Sequence, residues 1–187
     1  MSKDDDAELL RRTAVGDETA LRGLFARHQT RVFRFVLRRL AGNAAVAEEV
    51  TNEVFLEVWR NAGKFAGASA VATWILSIAH HRAVSRLRKR REESWDEDAA
   101  AALQDAGDNP EVAVQKADKG AILRRCLDKL SAEHKAIVDL VYYHELSISE
   151  ASEVLQIPEN TVKTRMFYAR KRLSDLLKAA GVDRGWP

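Results

Sequence analysis

The chain has 187 residues, of which 46% are hydrophobic and 31% charged, and its formal net charge is +2. This composition is typical of a globular protein with one large or two small domains, and it excludes a wholly disordered chain. Charges interrupt every apolar run before the roughly 18–20 residues of a membrane span, and the acidic start MSKDDDAELL does not resemble a secretory signal. The single cysteine excludes an internal disulfide framework, so the sequence predicts a cytoplasmic protein without membrane insertion of its own.

The first half of the chain predicts three long helices. From the N-cap residue Asp17, apolar residues recur at helical spacing until a glycine ends the pattern. A second helix runs from about 44 to 61 with Asn43 as its cap, and a third runs from about 71 to 91. Between them, KFAGASA (64–70) predicts a loop, because glycine and small side chains cannot hold a packed element. Strand signals are almost absent, and the predicted fold class is therefore all-α.

A strongly acidic segment divides the chain. Residues 92–111 hold eight acidic side chains and no basic one, which leaves +10 on the rest of the sequence. High charge, few large apolar groups and two helix breakers predict a flexible acidic linker over 92–117. It would join a helical domain at 10–91 to a second one at 118–180. The basic run 82–91 just before it fits a polyanion partner or, equally well, a solvated helix end.

The second half of the chain contains a helix-turn-helix pattern. Helical segments are predicted over 121–130 and 132–144, followed by a short helix over about 148–155, a tight turn at 156–159 and a longer helix capped by Asn160. In a helix-turn-helix, the second helix enters the major groove and its first residues reach base edges. This spacing favours DNA binding over a purely structural role.

The last helix would carry an unusual mixture of side chains on the face opposite its apolar stripe. Lys163 can donate to guanine and Thr164 can bond to a base, while Phe167 suits contact with a thymine methyl and Tyr168 lies beside it. Other basic residues of this helix can reach phosphates. They are Arg165, Arg170 and Lys171. The alternative is that Phe167 and Tyr168 pack against a neighbouring helix.

Three segments together resemble the extracytoplasmic-function (ECF) group of the bacterial sigma-70 family. AEEVTNEVFLEVWRNAGKF (47–65) is similar to the part that docks on RNA polymerase. ATWILSIAHHRAVSRLRKRR (72–91) resembles the part that recognises and melts the −10 promoter element, and LSISEASEVLQIPENTVKTRMFYARKRL (146–173) resembles the −35-binding helix-turn-helix. The resemblance covers roughly 10–91 and 120–178. It implies an alternative sigma factor that binds core RNA polymerase and both promoter elements and promotes strand opening.

The resemblance also implies residue roles in the first domain. The residues assigned to the polymerase clamp are Glu48, Glu49, Asn52, Glu53 and Phe55. A loop over 64–73 would capture a base flipped from the melted non-template strand, and the basic helix after it would hold the strand backbone. The residues assigned to the −10 element are Lys64, Ser69, Thr73, Trp74, His80, His81, Arg82, Ser85, Arg86, Arg88 and Lys89. As alternatives, Phe55 fits a helical core and Trp74 fits simple packing.

Several positions depart from the usual family pattern. His80 and His81 stand where Arg-Asn is common, and Ser85 stands where Asp is common, so the −10 sequence preference does not follow by analogy. Gln156 replaces the glycine expected in the helix-turn-helix turn, where a left-handed backbone costs a residue with a Cβ about 1 kcal/mol. Tyr168 occupies a position that is often basic.

The sequence offers little support for catalysis. P-loop, HExxH, paired-cysteine and GxSxG patterns are absent, so no enzyme activity, cofactor or metal is expected. Two rival functions are a conventional helix-turn-helix regulator that acts without polymerase and a sigma-like decoy that sequesters a regulator. The family resemblance adds an anti-sigma protein as a partner that holds the factor inactive. Cys126 is interpreted as a small core residue in preference to a redox sensor.

Overall fold

The computed structural model of the chain describes residues 3–93 and 116–182, and every regular element within these ranges is helical. The helices are α1 (Lys3–Ala14), α2 (Glu18–Arg39), α3 (Ala44–Asn61), α4 (Val71–Glu93), α5 (Lys116–Asp128), α6 (Ala132–Val138), α7 (Ile148–Leu155) and α8 (Glu159–Ala179). The all-α prediction is confirmed. None of the helices in these ranges is long and apolar enough to cross a membrane.

Local capping signals set the starts of α2, α3 and α7. The side chain of Asp17 accepts hydrogen bonds from the amides of residues 19 and 20, and the side chain of Asn43 accepts one from residue 46. Ser147 and Glu150 form a reciprocal capping box at the start of α7. At α8 the predicted cap is wrong, because the helix begins at residue 159 and Asn160 already lies in its first turn.

The N-terminal half, α1 to α4, forms a helical bundle around a fully buried apolar core. Leu24 and Phe35 of α2 meet Val54 of α3 and Ile75 of α4 in this core. Helix α1 lies mostly outside the domain predicted over 10–91, with only its last residues inside it, and it packs on α2. The Asp6 carboxylate of α1 accepts from one α2 arginine at 2.8 Å and lies 2.8 Å from a ring nitrogen of an α2 histidine.

The C-terminal half, α5 to α8, contains the predicted helix-turn-helix. Helix α6 continues into a π-helical turn at Asp139–Tyr143, so the helical segment predicted over 132–144 is present but changes its hydrogen-bonding pattern midway. Val162, Met166 and Ala169 of α8 are buried, as the predicted apolar stripe requires. Cys126 is a buried free thiol, which supports its interpretation as a core residue.

The two halves pack directly against each other. Helix α7 lies against α4, and one continuous cluster of buried apolar residues includes side chains from both halves. The predicted linker over 92–117 overlaps helix at both ends, since α4 continues to residue 93 and α5 begins at residue 116. Its central part lies outside the described residues, and the predicted domain limits stay predictions.

Candidate nucleic-acid interface

The solvent-exposed face of α8 carries aromatic side chains among basic ones. Phe167 is 64% exposed and Tyr168 is 53% exposed, and their rings meet edge to face with centroids 5.4 Å apart. Lys163 and Thr164 are exposed in the first turns of the same helix, and Lys163 pairs with Glu159 at 3.7 Å. The alternative in which both rings pack on a neighbouring helix is therefore wrong. Two large apolar groups in water suit contact with base methyls or sugars.

Two arginines of α8 differ in their freedom to contact DNA. Arg170 is exposed, and its Nε donates to the hydroxyl of Tyr142 at 2.9 Å, which orients the guanidinium from one side. Arg165 is half-buried, and its Nη2 lies 3.1 Å from a carboxylate oxygen of Glu133. Tyr142 was not among the predicted site residues. Its only sequence signal is a pair of adjacent tyrosines at the end of an apolar helix.

The turn between α7 and α8 keeps the geometry that a glycine would adopt. Gln156 has φ +53° and ψ +45°, which is the left-handed conformation. The hydroxyl of Ser152 donates to the carbonyl of Ile157 at 2.6 Å and ties the end of α7 to the turn. The turn thus holds α8 at a fixed angle to α7, and Gln156 bears a conformational cost of about 1 kcal/mol that glycine would avoid.

The acidic face of α3 and the basic face of α4 lie side by side. Arg82 Nε donates to Glu57 at 2.5 Å and its guanidinium lies 3.9 Å from Glu53, while Arg86 Nη2 donates to Glu49 at 2.6 Å. The residues predicted for polymerase therefore contact residues predicted for the −10 strand. Glu57 was not among the predicted site residues, although it lies one helical turn after Glu53.

The remaining polymerase residues separate into exposed and buried groups. Glu48 and Asn52 are exposed, as predicted. Phe55 is only 4% exposed and its ring packs edge to face on Phe25 with centroids 4.8 Å apart, so the predicted contact of Phe55 with polymerase is wrong. The neighbouring Leu56 is 54% exposed and provides the apolar side chain of this surface.

The residues predicted for the −10 element do not form one open surface. Their exposed members are Lys64, His81, Ser85, Arg88 and Lys89, and Ser69 is half-buried. Trp74 packs on Phe65 with centroids 5.3 Å apart, which supports its packing alternative. Thr73 is 1% exposed and lies 3.4 Å from Glu150 of α7, so it is not accessible to DNA in this arrangement.

His80 is also removed from water. The pKa of His80 is lowered to about 4, chiefly by burial and in smaller part by the nearby positive charge of Arg39 and by His81. The ring is therefore neutral at pH 7, and its Nδ1 has no hydrogen-bond partner among the described residues. A neutral, half-buried imidazole cannot act as a phosphate-binding cation.

Comparison with known proteins relates these two helical units to one family. Sigma-70 region 2 matches residues 24–93, and Sigma-70 region 4 matches residues 120–173. The ECF RNA polymerase sigma factor SigK of Mycobacterium tuberculosis (strain ATCC 25618 / H37Rv) is 34% identical over 183 residues, which cover 95% of each chain. SigK of Mycobacterium ulcerans (strain Agy99) is 34% identical over 180 residues, 95% of this chain and 96% of the relative. The chain belongs to the ECF sigma factors.

Solved structures agree with the fold of this ECF sigma factor. The sigma factor RpoE of Bartonella quintana, in complex with the anti-sigma factor NepR, has a TM-score of 0.70 at 23% identity, covering 87% of this chain and 98% of its own. CnrH, in complex with the cytosolic domain of CnrY, has a TM-score of 0.68 at 21% identity, covering 94% and 98%. These likenesses support the two-unit all-α architecture.

The family assignment confirms the predicted role in transcription initiation. The region 2 match covers most of α2 and all of α3 and α4, and the region 4 match covers α5 from residue 120 and most of α8. Sigma factors are non-catalytic transcription regulators. The residue assignments within this ECF sigma factor stay predictions, apart from the corrections made above by burial.

Proposed function

We propose that this ECF sigma factor docks on core RNA polymerase through α3, reads −35 duplex DNA through α8 and holds the melted −10 strand through α4 and the loop before it. The observation that carries this function is the face of α8, where two exposed rings lie among exposed cations. Such a face is unsuited to a protein core and suited to the major groove. Catalysis belongs to the polymerase, and the sigma factor acts in the cytoplasm, where polymerase and DNA are found.

The polymerase surface consists of the exposed carboxylates of Glu48 and Glu49, the amide of Asn52 and the apolar side chain of Leu56. These four residues lie on two successive turns of α3. An apolar anchor surrounded by charges is a common arrangement in protein interfaces, because the anchor provides affinity and the charges provide specificity. The fit is best to a basic partner surface.

The −35 surface consists of base-reading and phosphate-binding residues on α8. Lys163 and Thr164 lie in the first turns, where a recognition helix meets base edges. Phe167 follows one turn later for contact with a thymine methyl. Arg170, oriented by Tyr142, and Lys171 reach phosphates, which position the helix without selecting a sequence.

The −10 surface begins at the loop over 64–70 and continues along the exposed basic end of α4. Small residues in the loop allow a base to approach the backbone closely, and extruding a base costs a few kcal/mol. Arg88 and Lys89 are exposed toward the end of α4 and would hold the strand backbone. Strand capture on this surface would favour opening of the duplex.

An anti-sigma protein is part of the proposed function. Two structures with the same fold, RpoE of Bartonella quintana and CnrH, are complexes with NepR and with the cytosolic domain of CnrY. By analogy, this sigma factor would be held inactive by a protein partner that blocks polymerase binding.

Run-off transcription tests the proposal directly. The purified full chain is mixed with core polymerase and a pool of genomic promoter fragments, and the transcripts are sequenced. We expect a defined set of start sites that share a −35 and a −10 motif, together with a stable complex between the chain and core polymerase. Duplex binding without either result would identify a conventional helix-turn-helix regulator.

A further inference from the structure

The C-terminal half covers part of the surface proposed for the −10 strand. Thr73 of α4 is buried beneath α7, where its hydroxyl lies 3.4 Å from a carboxylate oxygen of Glu150. About two turns further along α4, His80 lines a small cavity together with Ala136 of α6 and Leu155 of α7. Both residues were assigned to DNA from the sequence, and both face protein instead.

Three arginines of α2 hold the C-terminal half in this position. Arg31 donates from Nη2 to the carbonyl of His144 at 2.6 Å and from Nε to its ring Nδ1 at 3.3 Å. Arg38 pairs with the buried carboxylate of Asp139, and Arg39 donates to the carbonyl of residue 132 at 3.3 Å. We call this set the α2 latch. It consists of Arg31, Arg38, Arg39, Ala132, Asp139 and His144.

Apolar contacts accompany the α2 latch. The ring of His144 meets Phe35 of α2 edge to face, with centroids 5.6 Å apart. Ile137 and Leu140 belong to the same buried cluster as the core of the N-terminal half. The contact therefore excludes water from both halves and involves more than exposed ion pairs, which alone would contribute little.

Hydrogen bonding at the boundary between the halves is nevertheless incomplete. Among the described residues, every buried side-chain polar atom that lacks a hydrogen-bond partner lies there. These atoms are Arg39 Nε, His80 Nδ1, Asp139 Oδ2 and His144 Nε2. The last two are 3.5 Å apart, within ion-pair range but too far for a good hydrogen bond. Unpaired buried groups regain water when an interface opens, so this interface is one that can separate.

The contact between the two halves leaves the proposed polymerase and −35 surfaces exposed. Phe167 and Lys163 on α8 remain exposed, as do Glu48 and Glu49 on α3. We propose that in the free chain the C-terminal half closes over the −10 face of α4, held by the α2 latch, so that strand capture requires the halves to separate. This regulation rests on the proposed function and concerns only one of its three surfaces. A closed chain can still meet polymerase and −35 duplex.

A covalent bridge across the latch tests the proposal. In a Cys126→Ser background, Arg31→Cys and Glu145→Cys place thiols on either side of the boundary at positions outside every proposed DNA or polymerase surface. A short bis-maleimide joins them, and the same variant capped with N-ethylmaleimide is the matched control. The probes are the single-stranded −10 segment and the duplex −35 segment of a promoter selected by run-off transcription.

We expect the bridge to affect binding of only one of the two probes. The bridge removes the open form that the capped chain can still reach, so we expect it to weaken binding of the −10 strand about tenfold or more relative to the capped chain, while −35 duplex binding is unchanged. Equal binding of the −10 strand by bridged and capped chains would overturn the proposal. A capped chain that supports no transcription with core polymerase would instead refute the proposed function, so the two failures are distinguishable.

A second pair of variants tests the latch without a bridge. Arg38→Ala removes the partner of Asp139, whereas Arg34→Ala removes an equal charge one turn earlier, at an exposed position of α2. We expect Arg38→Ala to raise −10 strand affinity of the free chain and to increase the distance between the halves, measured by energy transfer between labels on α3 and α8. Equal behaviour of the two variants would contradict a role for the latch.

Discussion

Acidification should open the boundary between the two halves, because His80 is buried there in its neutral form. Burial lowers its pKa to about 4, and Arg39 and His81 act in the same direction. The other charged groups that line the same cavity are Glu133 of α6 and Arg165 of α8, which pair with each other at 3.1 Å. A proton on His80 would therefore meet positive charge and little water.

The direction and size of this pH dependence follow from the lowered pKa of His80. In the open form His80 is hydrated and titrates near its ordinary pKa of about 6.5, so below that pH the open form binds a proton that the closed form does not. The contribution to closure is complete above about pH 6.5 and is lost as the pH falls toward 4. At pH 5 the ratio of open to closed chain rises about thirtyfold, which corresponds to about 2 kcal/mol.

Energy transfer between two labels measures this opening. Arg60→Cys on α3 and Lys178→Cys on α8 are exposed attachment points in the Cys126→Ser background. We expect transfer to fall between pH 7.5 and pH 5 in this chain and to fall much less when it also carries His80→Gln. A flat profile in the first chain, or the same profile in both, would refute the assignment of the pH dependence to His80.

Four further predictions concern single positions. Phe55→Ala should lower the free energy of unfolding in urea by about 3–5 kcal/mol, because it leaves a cavity beside Phe25. Leu56→Ala should change that free energy by less than about 0.5 kcal/mol but weaken binding to core polymerase in a fluorescence titration. Gln156→Gly should stabilise the fold by about 1 kcal/mol in the same urea assay, because glycine adopts the left-handed conformation without strain. Lys163→Ala should relax selection at one −35 base pair by about 1–3 kcal/mol in a binding selection.

Unchanged binding of Leu56→Ala to core polymerase would contradict the role of Leu56 as an anchor, and the other predictions have equally definite counter-results. Similar unfolding curves for Phe55→Ala and Leu56→Ala would mean that Phe55 is not a core residue. A destabilised Gln156→Gly chain would show that the glutamine side chain makes contacts that outweigh its backbone strain. Uniform weakening by Lys163→Ala on all sequences would identify Lys163 as a phosphate contact.

Helix positions could be predicted where the signal is local. The caps Asp17 and Asn43 fix the starts of α2 and α3, and the capping box at Ser147 fixes the start of α7. The prediction of 44–61 for α3 therefore agrees with the structure. Helix α1 was missed because its stability comes from partners distant in sequence. Its Asp6 pairs with Arg27, 21 residues away.

Which of Phe55 and Leu56 is buried in the core could not be predicted from the sequence alone. Adjacent residues on a helix point about 100° apart, and the buried face of α3 ends between these two, since Phe55 is 4% exposed and Leu56 is 54% exposed. Both are apolar, and the surrounding pattern of valines fits either assignment within one residue. The structure decides for Phe55 because Phe25 of α2 lies opposite it.

The two DNA surfaces differ in how far the sequence could predict them. The exposed face of α8 follows from the helical period, because its apolar stripe is continuous and the opposite side must face water. The accessibility of α4 does not follow in this way. Thr73 and His80 are covered by helices that lie more than 50 residues later in the chain, and no local pattern records such a contact.

The proposed polymerase and −10 surfaces are joined through shared ion pairs. Arg86 pairs with Glu49, and Arg82 pairs with Glu57 and approaches Glu53. Partly exposed pairs of this kind contribute only about 0–1 kcal/mol each, so exchanging a carboxylate for a DNA phosphate costs little. A basic polymerase surface that engages the carboxylates of α3 would release these arginines at the moment when the DNA strand arrives. Docking on polymerase and capture of the −10 strand are therefore expected to favour each other, because both break the same ion pairs between α3 and α4.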